Sequence, residues 1–81
     1  MPQVIALPPF AAEFFGGKER LTVAGTSLFA VVRELDRAAP GFADTAEERA
    51  AMAVNGTVQA DWSARLEPDD EILIVPKVAG G

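Results

Sequence analysis

Apolar residues in this chain follow two periods, and the switches between them mark out its elements. Val4-Ile5-Ala6-Leu7 is a short apolar run stopped by Pro8-Pro9, which predicts a strand that ends where proline cannot continue a ladder. Phe10, Ala11, Phe14 and Phe15 then recur at helical spacing before Gly16-Gly17, predicting a short helical connector. Glu19 to Val23 alternates polar and apolar residues, so a second strand is expected, with Leu21 and Val23 toward a core and Gly25 beyond it. From Thr26 the period changes again. Leu28, Val31, Val32 and Leu35 form the i, i+3, i+4, i+7 stripe of an amphipathic helix, with Thr26 or Ser27 able to cap its start and Ala39-Pro40-Gly41 ending it.

In the second half, Thr45-Ala46-Glu47-Glu48 fits a capping box, in which hydroxyl and carboxylate satisfy each other's backbone amides. It predicts a connector with a turn or two of helix over residues 49–52. Asn55-Gly56 between Ala53-Val54 and Thr57-Val58 is a strong hairpin signal, because both residues tolerate positive φ, and it sets a third strand near Ala51 to Val54. Asp61 to Arg65 fits neither period. Glu67-Pro68-Asp69-Asp70 has the composition of a type I turn and launches Ile72-Leu73-Ile74-Val75, an apolar run suited to a central strand. We read residues 1–76 as one domain and residues 77–81 as a small, flexible C-terminal tail.

Strand, strand, helix, short strand, final apolar strand is the order of an α+β roll, in which one main helix covers one face of a mixed sheet. Parallel pairing of the first and last strands needs a long crossover, which the helix supplies. By strand alternation Ile72 and Ile74 point to the helix, while Leu73, Val75 and Lys77 share the other face and are the expected partner-docking face. The competing expectation is that Phe10, Phe14 and Phe15 form a second layer over Leu73 and Val75. Trp62 is expected in the core rather than as a partner anchor.

Composition narrows the chemistry. The 81 residues include no Cys, no His and no Tyr, which removes thiolate nucleophiles, imidazole bases and the usual zinc or haem ligands. The remaining carboxylates, hydroxyls and two lysines, Lys18 and Lys77, form no convincing active site, so the expectation is no catalytic residue, no metal and no bound cofactor. Glu47-Glu48 and Asp69-Asp70 are read as surface charge. A net charge of −5 repels phosphate backbones, so nucleic acid is not an expected partner. Without an apolar run long enough for a membrane span or a basic start typical of a signal peptide, the chain is expected to be cytoplasmic.

The stretch Ala53-Val54-Asn55-Gly56, followed by Leu66-Glu67-Pro68-Asp69-Asp70-Glu71 and Ile72-Leu73-Ile74-Val75-Pro76-Lys77-Val78-Ala79-Gly80-Gly81, resembles the ThiS/MoaD family of sulfur carriers. The resemblance implies a ubiquitin-like β-grasp fold. It also implies that the carboxylate of Gly81 is the working group, with Gly80, Ala79 and Val78 threading it into a partner through a channel too narrow for larger side chains. An ATP-dependent adenylating enzyme of ubiquitin-activating type would activate Gly81, and a sulfurtransferase would supply sulfur to leave a thiocarboxylate. ATP and the sulfur donor would be used through the activating partner. The first recipient implied is the large subunit of molybdopterin synthase, in molybdenum cofactor biosynthesis. Cysteine, thiamin or thiolated natural-product pathways are the alternatives, and a ubiquitin-like modifier or plain interaction domain is the rival of another class. Two positions depart from the family pattern: Asp69-Asp70 stands where Gly-Asp is usual, and Lys77 where a second proline is frequent.

Overall fold

The computed structural model describes residues 1–77. Its strands are β1 (Gln3–Ala6), β2 (Arg20–Thr22), β3 (Ala50–Val54), β4 (Thr57–Val58) and β5 (Glu71–Pro76); its helices are α1 (Phe10–Phe14), α2 (Leu28–Ala38) and α3 (Phe42–Arg49). The strands form one sheet in the order β2-β1-β5-β3-β4. β5 lies at its centre, parallel to β1 and antiparallel to β3, as the expected crossover requires.

α2 is the main helix over the sheet. Ser27 caps it, its Oγ accepting from the Ala30 N–H at 3.2 Å, and Leu28, Val31, Val32 and Leu35 are buried against the sheet. Burying such aliphatic side chains contributes on the order of 1.5–3 kcal/mol each, so this stripe holds the helix far more firmly than propensity alone. Gly25 lets the helix approach closely, since a Cβ there would stand 2.8 Å from Val31 Cγ2 and 3.0 Å from its backbone nitrogen.

The expected capping box at Thr45 is not used. α3 starts upstream of it, at Phe42, with Gly41 in the capping position and a φ of 98° there opening the turn. The carboxylate of Asp36, on α2, accepts from the N–H groups of Gly41 (3.1 Å) and Ala43 (2.9 Å), satisfying amides that the helix itself leaves free. Thr45 therefore lies inside the helix, its N–H donating to the Gly41 carbonyl at 3.3 Å, and residues 50–52 are strand rather than helix. The short connector thus becomes a second substantial helix.

Phe10 and Phe15 are buried with Val4, Ala6, Ile72 and Ile74 on the helix side of the sheet. Phe42, fully buried, joins them, meeting Phe14 edge-on at a centroid distance of 5.4 Å and Phe15 at 5.2 Å. The phenylalanines therefore do not form a layer over Leu73 and Val75; they build the core on the opposite face. Arg49 clamps α1 to the end of α3 through paired 3.2 Å bonds to the Glu13 carboxylate while lying over the Phe10 ring.

Candidate functional site

The site is built around the exit of β5. Ladder bonds hold this strand on both sides: the Gln3 N–H donates to Asp70 O and the Leu7 N–H to Ile74 O, each at 3.1 Å, at the margins of the β1 pairing. On the β3 side the ladder continues past the strand's last residue, because the Lys77 N–H donates to Arg49 O at 2.8 Å. The Lys77 ammonium also donates to the Glu47 carbonyl at 2.6 Å, near the C-terminal end of α3, where free carbonyls and the helix dipole favour a cation. Lys77 is exposed, yet its charge is held at the helix end. The residues expected to carry and thread the reactive group, Val78, Ala79, Gly80 and Gly81, lie outside the described residues, as does most of the tail read as 77–81.

Leu73 and Val75 are half-buried on the face away from the helices. Strand register completes this face with residues the sequence pattern did not single out: Ile5 and Ala53 flank Leu73, Val58 lies beyond Ala53, and Ala51 flanks Val75. Val58 is 64% exposed. Polar pairs border the patch, with Gln3 Nε2 donating to Thr22 Oγ1 at 2.8 Å and Arg20 standing 3.7 Å from Glu71. The signal for Ile5 and Val58 lay in the pairing register, which a single strand's alternation does not contain.

The turn that launches β5 contains Asp69-Asp70, and the aspartate bonded in it is Asp70, the one that agrees with the usual Gly-Asp. The Asp70 N–H donates to Glu67 O at 3.1 Å, closing a four-residue turn where one was expected. The Asp70 carboxylate also accepts from the Glu67 N–H and from Asn55 Nδ2, both at 2.8 Å, so this second aspartate is a turn clasp. The Glu67 backbone bond first, and the Asn55 bond next, hold the Asp70 carboxyl below its ordinary pKa.

A second region, not anticipated from sequence, lies at the β3 edge. Phe29, 56% exposed on α2, meets Trp62 edge-on at 5.7 Å. Trp62 is half-buried against the core, and its carbonyl accepts from the Phe29 N–H at 3.0 Å. The aromatic pair walls an open cleft of about 560 Å³ between the start of β3 and the loop that follows β4. Phe29 lies off the apolar stripe of α2, which is the one sequence sign that it serves something other than the core.

Among the described residues, no cluster of three or more carboxylates could hold a metal ion, and no helix is long and apolar enough to cross a membrane. A mixed five-stranded sheet under a main helix, with the chain leaving from the central strand, defines the ubiquitin-like β-grasp class. The chain matches the ThiS family over residues 7–81 and belongs to it.

Solved structures agree on the fold. The chain is similar to CysO of Mycobacterium tuberculosis, described as an antigen, with 18% identity and a TM-score of 0.83 over 96% of this chain and 100% of that one. It is similar to the Amycolatopsis orientalis BexX/CysO complex structure, with 20% identity and a TM-score of 0.80 over 100% of both chains. It is also similar to small archaeal modifier protein 1 of Methanosarcina acetivorans, with 18% identity and a TM-score of 0.80 over 99% of this chain and 95% of that one. A comparison with curated protein sequences returned no match.

Proposed function

We propose that this ThiS-family chain is a sulfur carrier and acts as a co-substrate, bearing sulfur as a thiocarboxylate on Gly81. The observation that carries the reading is the exit of β5: a central strand hydrogen-bonded through Lys77 is followed directly by Val78-Ala79-Gly80-Gly81, within the stretch that matches the family. A carboxylate is a poor acyl donor because oxide is a poor leaving group. A partner enzyme adenylates Gly81 with ATP and releases pyrophosphate. The terminal sulfur of a sulfurtransferase persulfide then attacks the acyl carbon and AMP leaves. A second thiol cleaves the resulting S–S bond, and the thiocarboxylate remains on the carrier. No cysteine on the carrier is needed, and the chain has none.

The open face around Leu73 and Val75 is the proposed docking surface for the adenylating partner, with Lys77 at its edge. It is apolar, bordered by polar pairs, and continuous with the strand that presents the chain end. The recipient proposed first is a pterin precursor held by the large subunit of molybdopterin synthase, with enzymes forming cysteine, the thiamin thiazole or thiolated natural products as alternatives. Incubation with an adenylating enzyme, ATP and a sulfurtransferase is expected to raise the intact mass by the difference between sulfur and oxygen. A carrier that stays unchanged, while the same enzymes charge another carrier, refutes the reading. Presenting the charged chain to the large synthase subunit with its pterin, and separately to a sulfhydrylase-type enzyme, distinguishes the recipients.

A second reading is conjugation of Gly81 to lysine, motivated by the similarity to a protein described as a small archaeal modifier. Tryptic peptides in which Gly81 is joined to a lysine amine would establish it.

A further inference from the structure

β4 leaves β3 early. The register that pairs Ala53 with Val58 and Val54 with Thr57 would, if continued, set Met52 opposite Gln59 and Ala50 opposite Asp61. The first of these is half made, the Gln59 N–H donating to Met52 O at 2.8 Å. The second is not made. The Asp61 N–H turns to the Gln59 side chain at 3.2 Å, and the Asp61 carboxylate accepts from the Ser63 N–H at 2.9 Å and its hydroxyl at 2.6 Å, closing a local turn that carries the chain away. The cleft of about 560 Å³ beside Phe29 and Trp62 opens where β4 would have continued.

Two backbone groups of β3 face that cleft. Ala51 and Ala53 direct their bonds to β5, since the ladder bonds from Asn55 N–H to Glu71 O and from Lys77 N–H to Arg49 O fix the alternation, so Ala50 and Met52 face the other way. The Ala50 N–H is used by the end of α3, donating to Ala46 O, and Met52 O is used by Gln59. The Ala50 carbonyl and the Met52 N–H have no hydrogen-bond partner among the described residues. An unpaired edge of this kind is a template for another strand.

The pattern of free groups selects a direction. In a parallel pair, one residue donates its N–H to the carbonyl of residue i−1 and accepts from the N–H of residue i+1 on the neighbouring strand. A single residue opposite Ala51 therefore satisfies both Ala50 O and Met52 N–H. Antiparallel addition would need the Ala50 N–H and Met52 O, both already engaged. Two carboxylates, Glu47 and Asp61, line the cleft, whereas the ammonium there, Lys77, is bound to the Glu47 carbonyl. Hydrogen bonds from Ser63 depress the Asp61 pKa, so it is anionic at neutral pH.

We propose that the cleft beside β3 binds an extended, basic segment of a partner protein as a short parallel strand, its residue opposite Ala51 bonded to Ala50 O and Met52 N–H. By alternation the two neighbours of that residue point toward Phe29 and Trp62 and are apolar, and the residues beyond them are Lys or Arg. This surface lies at the β3 edge and shares Ala51, Val58 and Lys77 with the margin of the sheet face, whereas Leu73, Ile5 and the strand β5 lie outside its lining.

The test is a titration of the isotope-labelled chain with the peptide Ac-Lys-Val-Thr-Val-Arg-NH2, followed by amide and indole NMR shifts. Saturable binding below about 1 mM is expected, with the Met52 amide proton moving downfield and the Trp62 indole shifting. Methylating the peptide's threonine nitrogen removes the donor to Ala50 O and is expected to weaken binding at least about tenfold, as is replacing both basic residues with glutamate. Phe29→Ser, at an exposed position, should weaken binding while the dispersed spectrum shows an intact fold. No Met52 shift up to about 1 mM, equal affinity for the methylated peptide, or shifts confined to β2 or to Ile5, Leu73 and Val75 would each overturn the proposal.

Discussion

Asn55 and Asp70 tie the β3–β4 hairpin to the turn that launches β5: Asn55 Nδ2 donates to Asp70 Oδ1 at 2.8 Å, and Asn55 Oδ1 accepts from the Glu71 N–H at 2.9 Å. Asn55 also has a φ of 50°, in the left-handed region where asparagine is among the more tolerant residues. One side chain thus shapes the hairpin and sets β5 in register beside it. Asn55→Ala is expected to lower the unfolding free energy by roughly 1–2 kcal/mol, through lost hydrogen bonds and a less tolerant backbone, measured by urea denaturation.

The same clasp makes stability depend on acid. Asp70 has a depressed folded pKa, so its contribution is fully present above its unfolded value of about 3.9 and is lost as pH falls through the lower folded value. The urea midpoint should drop as pH goes from about 5 to below about 3, and Asp70→Asn should make that part of the curve shallower.

Phe42 joins α3 to the aromatic core under the sheet. Phe42→Ala should cost about 3–5 kcal/mol, a large share of the stability of a small domain, whereas Phe42→Leu, which leaves a smaller void, should cost less. Thermal unfolding of the two variants measures the difference.

Substitutions at neighbouring positions on β5 should separate folding from recognition. Ile72→Ala, at a fully buried site, is expected to lower stability by about 2–5 kcal/mol. Leu73→Glu, at a half-buried position on the open face, should cost less stability than Ile72→Ala and leave the chain folded while slowing ATP-dependent charging of Gly81 at least about tenfold. An equal rate for Leu73→Glu and the parent chain would remove that face from the docking proposal.

Gly25 offers a check on close packing. Gly25→Ala sets a Cβ against Val31 at 2.8 Å and should cost about 1–3 kcal/mol as the start of α2 shifts, read from the urea midpoint.

The elements most visible in the sequence are those whose cause is local. The stripe Leu28, Val31, Val32, Leu35, the Asn55-Gly56 hairpin and the apolar run of β5 each declare themselves within a few residues, and the order of elements then implies the central parallel pair. α3 was harder to read because its cap comes from Asp36 on another helix, while a local capping pattern at Thr45 offered a competing start. The side of the phenylalanines depended on Phe42, which only tertiary packing brings to Phe14 and Phe15. At the candidate site, alternation placed Leu73 and Val75 on the open face, but Ile5 and Val58 joined them through register. The β3-edge cleft had no sequence sign beyond Phe29, because it arises from bonds that β4 does not make.

The bonding of β5 also has a mechanical meaning. A partner that draws on the residues beyond Lys77 pulls along the axis of a strand whose hydrogen bonds to β1 and β3 run across that pull. Loaded in shear, those bonds share the force and must yield together, whereas a strand peeled from an edge gives way one bond at a time. On the proposed function, a partner drawing on the chain beyond Lys77 would therefore load the domain in the direction it resists best.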